Sequence, residues 1–199
     1  MRKGYLLYLL VVSIVTIRCS RQQQENGSSY THEDFLTESY LVYHDSIVHA
    51  WNMMISDDNE KLTSLHLLIT ELQTLDESKD QAVLKKFDSR LRQLRHIRYT
   101  QKSMANADVI EEYDFASTAL VREVLSTAEM SEGFAENVRL QSLVEHIRLA
   151  EERIENYRAD YDDLINHYNK FLEENRADLV QLSRDSIKKK AQFQLVSIE

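Results

Sequence analysis

Between Leu140 and Phe171 the chain carries an apolar seam in steps of three and four residues. It runs Leu140, Leu143, Ile147, Ala150, Ile154, Tyr157, Tyr161, Leu164, Tyr168 and Phe171 without a gap. Steps averaging about 3.5 residues keep every member on one stripe of a helix packed along its whole length. At about 1.5 Å per residue the seam is roughly 50 Å long, well beyond an ordinary globular helix. A stripe of that length stays dry only against helices of similar length. Composition points the same way, with no Pro and only three Gly (Gly4, Gly27 and Gly133), too few for the frequent turns of a β-rich fold. The expected fold is therefore all-α: an antiparallel helical bundle of about four helices with long first and last helices and coiled-coil-like packing, spanning residues 31–177.

The helix boundaries follow from local signals. Thr31 can cap the backbone N–H of Asp34, with Tyr30 and Phe35 at staple positions. Tyr40, Tyr43, Ile47, Ala50 and Met54 follow at helical spacing, and Leu62, Leu65, Ile69 and Leu72 resume it after the polar run from Ser56 to Lys61. This predicts one long first helix with an exposed middle carrying Asp57, Asp58 and Glu60, a break near Asp57 being the alternative. Ser78 to Gln81 reads as a capping box for a second helix with Leu84, Phe87, Leu91 and Leu94 buried. Asp108 and Glu111 open a third, with Ile110, Tyr113, Leu120 and Val124 inward. Gly133 stops it, because glycine readily takes the left-handed conformation that ends helices. After Arg176 the periodicity fades, and residues 178–199 read as a tail in which Phe193, Leu195, Val196 and Ile198 could lie along the bundle. Lys188 to Lys190 read as solvated.

The N-terminus reads as an export segment over residues 1–19. Arg2 and Lys3 precede an apolar run from Tyr5 to Ile17, which as a helix would cover about 20 Å against a hydrocarbon core of about 30 Å. Cys19, the only cysteine, stands just after this run. Three fates fit: a lipidated Cys19, as in bacterial lipoproteins; an uncleaved anchor; or ordinary signal cleavage. Each places the domain outside the cytoplasm, and acyl chains would hold it at about 0.8 kcal/mol per buried CH₂. Residues 20–30 are polar and read as a tether. The formal charge of −9 argues against nucleic acid as a partner, which demands a basic surface.

Motif searches yield no reaction chemistry. None of the seven histidines follows an acidic residue by three positions, so the Glu-x-x-His pairs of di-iron bundles are missing from the sequence and no metal or cofactor is expected. Asp160, Asp162 and Asp163 read as a solvated helix face. Arg158 stands one position past a seam residue. It could pair with Asp162 on the surface, or join a boundary network with Tyr161 or Tyr168 that fixes helix register. Tyr157, Tyr161 and Tyr168 read as core residues, with a ligand groove as the alternative.

One resemblance emerges from the seam. Glu151-Glu152-Arg153-Ile154, then Arg158, Tyr161-Asp162 and Tyr168-Asn169, together with Ala50-Trp51 upstream, resembles the LemA family of envelope-anchored bacterial helical proteins in residue types and spacing. Glu152 and Asp162 stand where the family pattern has Asn. The resemblance implies a bundle with long first and last helices and marks Ala50, Trp51, Glu151, Arg153, Ile154, Arg158, Tyr161, Tyr168 and Asn169 as motif positions, without implying a settled activity. The functional expectation is a non-enzymatic, membrane-anchored scaffold or interaction module of the cell envelope, on the periplasmic side in a Gram-negative cell. It would work with another envelope protein, with self-association through a long helix also open. A small-ligand- or lipid-binding bundle is the alternative.

Overall fold

A computed structural model describes residues 30–75, 81–182 and 187–193 of this chain. Among these residues there are five α-helices and no strand: α1 (His32–Leu75), α2 (Gln81–Ile97), α3 (Ala107–Glu129), α4 (Val138–Glu174) and α5 (Arg176–Leu182), with a 3-10 turn at Ser103–Ala105. Lengths of 44, 17, 23 and 37 residues give the expected long, short, short, long order, and α5 is an addition to it. The export segment with Cys19, the tether up to Ser29, the capping residues Ser78 to Asp80, and Leu195, Val196 and Ile198 lie outside the described residues. No helix among the described residues is long and apolar enough to cross a membrane.

The chain divides into two compact units, Met1–Glu38 and Ser39–Glu199, with α1 crossing the boundary. In the first unit the Thr31 hydroxyl accepts from Asp34 N at 3.1 Å, and the Asp34 carboxylate accepts from Thr31 N at 2.9 Å. This is a reciprocal cap with Asp in place of the usual Glu. The hydrophobic staple does not form. Tyr30 and Phe35 are exposed, and the Tyr30 hydroxyl donates to Glu38 instead.

In the second unit α1 runs unbroken through Asp57, and its middle is not exposed as expected. Asp57, Asp58 and Lys61 are buried, while Glu60 is exposed. The reason is geometric. Met54, Asp57, Asp58, Lys61 and Leu65 continue the same three- and four-residue steps, so a straight helix carries these charges into the interior.

Leu84, Phe87, Leu91 and Leu94 are the buried stripe of α2, as expected. The cap of α3 is Asn106 rather than Asp108, the Asn106 side chain accepting from Asp108 N at 3.1 Å. Tyr113, Leu120 and Val124 are buried beneath it, and Ile110 is half-buried. The chain turns at Gly133 (φ +81°) and enters α4 through Asn137, whose side chain accepts from Arg139 N and Leu140 N, both at 3.1 Å.

Most of the α4 seam is buried, but Tyr157 and Leu164 are only half-buried. Val144, Ile165 and Leu172, outside the seam, are buried as well. An α-helix turns every 3.6 residues, so a stripe drawn at 3.5 drifts off the true buried face over this length. At Asn175 (φ −114°, ψ 19°) the helix breaks, and α5 then continues to bury Leu179. The folded region thus extends beyond residue 177.

A Cβ at Gly133 would meet nothing within 4 Å, so Gly133→Ala should pay only the left-handed backbone penalty of about 1 kcal/mol. Urea unfolding should show a lower midpoint at unchanged slope.

Candidate functional site

The residues that sequence alone read as a solvated stretch form the polar centre of the second unit. Asp58, with 4% of its side chain exposed, accepts from Tyr113 OH at 2.6 and 2.7 Å and from Arg98 at 3.2 Å, and pairs with Lys61 at 3.2 Å. Lys61 in turn donates to Ser117 Oγ at 3.1 Å. One carboxylate on α1 is therefore tied to α3 and to the stretch following α2. Burial, first, and then the charge and hydrogen bond of Asp58 push the Tyr113 hydroxyl well above the usual tyrosine range. Beside this group Arg153 bridges Asp57 at 3.0 Å and Glu60 at 3.1 Å, linking α4 to α1.

Lys61 Nζ lies between Ser117 Oγ at 3.1 Å and the buried Asp58 carboxylate at 3.2 Å, so this cluster ties α1 to α3.

A second node sits on Arg158. Its guanidinium donates to both carboxylate oxygens of Asp114, at 2.6 and 2.8 Å, and to Tyr99 OH at 2.7 Å, with only 12% of the side chain exposed. The sequence expectation placed its partners on α4 itself, at Asp162, Tyr161 or Tyr168. The side chain instead crosses to α3 and to the stretch after α2, which is the register-setting role in kind with different partners. Burial alone would weaken the guanidinium charge, but the bonds to Asp114 and Tyr99 outweigh it and hold its pKa above the ordinary value. Tyr99 is pushed up to about 12, chiefly by burial. Tyr99 and Tyr113 meet edge to face at 5.2 Å, joining the two nodes.

The tail of the chain closes over this second node. Residues 187–193 lie along α4, and Phe193 is buried with 2% exposure. Asn169 brackets Lys190 through both main-chain groups, Nδ2 donating to Lys190 O at 3.0 Å and Oδ1 accepting from Lys190 N at 2.9 Å. Asp162 accepts from Phe193 N at 2.7 Å, and its carbonyl oxygen accepts from Gln192 Nε2 at 3.1 Å. Two helical turns separate Asn169 from Asp162, about 10.5 Å, which three extended residues span at about 3.5 Å each. The segment is therefore extended and runs opposite to α4.

Phe193 packs on Trp51 at 6.1 Å and meets Tyr99 and Tyr161 edge-on, each at 5.4 Å, with the Arg158 guanidinium 5.0 Å from its ring centroid. Lys188 and Lys189 are exposed, as expected of a solvated run, with Lys189 pairing with Glu173 on the surface, while Lys190 is half-buried with its ammonium 5.8 Å from the Tyr168 ring. Asp162 is likewise no surface carboxylate. Burial raises its pKa despite the hydrogen bond from Phe193 N.

Most of the motif residues meet here. Trp51, Arg158, Tyr161, Tyr168 and Asn169 all touch the terminal segment or its aromatic pocket. Ala50 and Ile154 are buried core residues. Glu151 is half-buried near Lys61, and Arg153 belongs to the first node. Sequence reasoning missed Asp58, Lys61, Arg98, Tyr99, Tyr113 and Asp114 as a group. The steps through positions 54, 57, 58, 61 and 65 were the one signal that could have found the first two.

Elsewhere, all seven histidines and both Asp160 and Asp163 are exposed. A groove of about 680 Å³ between α1 and α4 is lined by Asp45, His49, Ala50, Tyr157, Asp160, Asp163 and Leu164 among others. Tyr157 belongs to it, while Tyr161 and Tyr168 are buried elsewhere. Among the described residues no group of His, Cys, Asp and Glu could hold a metal ion. No protein family, curated protein or solved structure matches the chain.

Arg158→Met should cost about 2 kcal/mol, less than the 3–5 of a fully buried pair because Asp114 is 37% exposed and can rehydrate. Arg158→Lys should recover under half of this, since an ammonium cannot make the two-pronged contact. Chemical denaturation of both variants checks it.

Glu151 gives a pH test. Burial raises its pKa, and Glu155 adds to this, against an opposing pull from Lys61. A carboxylate whose folded pKa is raised contributes stability below its unfolded pKa and loses it as pH rises through the folded one. Glu151→Gln should therefore raise the melting temperature at pH 7, and the gain should vanish as pH falls below the carboxylate range.

Proposed function

We propose that the protein is a membrane-tethered, non-enzymatic interaction module of the bacterial cell envelope, similar in kind to LemA proteins. Its helical domain stands outside the cytoplasm, and its partner is another envelope protein. The domain is an antiparallel bundle of four principal helices, with α1 and α4 running in opposite directions. The order of the α1–α4 partners supports that arrangement: Tyr43 with Phe171, Trp51 with Tyr161, Asp57 with Arg153, and Glu71 with Arg139. As α1 positions rise, α4 positions fall.

The observation that carries the functional reading is the treatment of residues 187–193. Asn169 and Asp162 direct hydrogen bonds at main-chain atoms, and the bundle supplies an aromatic pocket for one side chain. That combination is how proteins hold extended peptides: backbone bonds give affinity, and pockets give selectivity. Most charged atoms near it are bonded to one another, with only Arg158 Nε and Asp57 Oδ2 buried without a partner among the described residues, which favours a rigid scaffold.

A small-ligand- or lipid-binding bundle has the α1–α4 groove in its favour. Asp45, Asp160 and Asp163 line that groove, however, and would disfavour an acyl chain.

The anchoring half of the proposal is tested by intact mass and membrane partitioning of the native protein beside Cys19→Ala. A mass beginning at Cys19 plus acyl chains, lost in the variant, is the expected result. A soluble protein without lipid would overturn the tether. Reproducible turnover of a substrate by the purified domain would overturn the non-enzymatic reading.

A further inference from the structure

We propose that the cleft holding residues 187–193 is a docking site for an extended segment of another protein, and that the chain's own segment is its resting occupant. The ligand carries an aromatic side chain at the Phe193 position and a side chain longer than alanine at the Ala191 position. This site would be the working surface of the interaction module proposed above and rests on that reading.

Three observations define the ligand. The hydrogen bonds to Lys190 and Phe193 fall on main-chain atoms, so any residue could stand at the bracketed position. The one fully enclosed side chain of the segment is Phe193, set among Trp51, Tyr99 and Tyr161 under the Arg158 guanidinium, so an aromatic ring is required there. The cleft is also wider than its occupant. A cavity of about 380 Å³ remains beside Lys190, Ala191 and Gln192, walled by Met104, Ala105, Ala107 and Ile110 with Glu111 among its lining.

That space fits the stem of Met, Lys or Arg, with Glu111 available to a basic head. The groove is open to solvent at Ala105, Ala107 and Glu111, so a longer side chain at the Ala191 position could enter it without displacing the main chain. A tethered occupant needs little intrinsic affinity, because tethering supplies an effective concentration in the mM range. A competing partner must therefore exceed it through better contacts, and the unfilled cavity is where those contacts are open.

Trp51 is the only tryptophan and stacks on Phe193, so its emission reports occupancy of the pocket. The full chain carrying Phe193→Ala vacates the aromatic site. Its Trp51 emission should shift to the red while far-ultraviolet helicity is retained. A synthetic peptide of residues 187–193 should restore the emission saturably, and the same peptide with Phe193→Ala should not. A peptide with Ala191→Met should bind about five- to tenfold tighter by filling the cavity.

No saturable change up to about 10 mM peptide in a folded variant would overturn the proposal, as would equal binding of the Ala191→Met peptide. A concentration-dependent dimer of the native chain that Phe193→Ala abolishes would assign the cleft to a second copy instead. If Phe193→Ala fails to fold, Asn169→Ala in the full chain decides. Hydrogen exchange at residues 187–193 should accelerate while α1 and α4 stay protected, and joint loss of protection would make the segment an integral part of the core. Failure of these tests leaves membrane tethering untouched, and a soluble, unlipidated protein that still binds the peptide would overturn the tether alone.

Discussion

Stripping a carboxylate of water costs several kcal/mol, and Asp58 is buried to 4% side-chain exposure in the middle of a 44-residue helix. The cost is met only because Tyr113, Arg98 and Lys61 all reach it at once. Those donors come from three different stretches of chain, so the position of α3 and of the stretch after α2 depends on where α1 places one side chain. A shift of α3 by a single residue would turn Tyr113 roughly 100° away and leave both the phenol and the carboxylate short of partners. Apolar stripes tolerate sliding, because one leucine resembles the next. The polar node does not. It turns a generic packing of long helices into one specified register.

Arg158 extends the same constraint to α4. Its two-pronged contact fixes the rotation of α4 against Asp114, and its third bond reaches Tyr99. Tyr99 lies edge-on to Tyr113 and beneath the Arg158 guanidinium, so the two nodes share one aromatic wall. Phe193 completes that wall on its outer side. The terminal segment therefore lies against the residues that set helix register, and its ring helps keep water from the Arg158–Asp114 pair.

Periodicity and caps made the helical architecture legible. The long, short, short, long order and the α2 stripe are legible from spacing because each is a local property of sequence, whereas α3 ends at Glu129 with Met130 as its cap, and Gly133 turns the chain only afterwards. The polar centre is not legible in this way, because in a sequence charge signals exposure. Asp57, Asp58 and Lys61 fell on the buried stripe by spacing and off it by chemistry, and burial won because donors distant in sequence were available. Tyr113 lies 55 residues away from Asp58, and no local pattern announces that meeting. Arg158 stands out beside the seam, but its partners Asp114 and Tyr99 lie 44 and 59 residues away, beyond any local pattern. The terminal segment lacked any periodic signal, since its bonds run through main-chain atoms that every residue possesses. The Asp162–Asn169 spacing is visible as a motif, but its meaning depends on the extended segment that lies across it.

The extended segment 187–193 contributes substantially to the stability of the second unit. Full burial of one phenylalanine contributes about 1.5–3 kcal/mol, and each of its few hydrogen bonds about 1. The stripe from Leu140 to Ile154, by contrast, buries Leu140, Ile147 and Ala150 completely, and α1, α2 and α3 bury apolar side chains of their own. The ring and hydrogen bonds of the segment together come to about 6 kcal/mol, a large share of a typical domain stability of about 5–15 kcal/mol, so losing the segment would weaken the fold substantially. The register nodes remain, since Asp58 and Arg158 take their partners from α3 and the stretch after α2 rather than from residues 187–193.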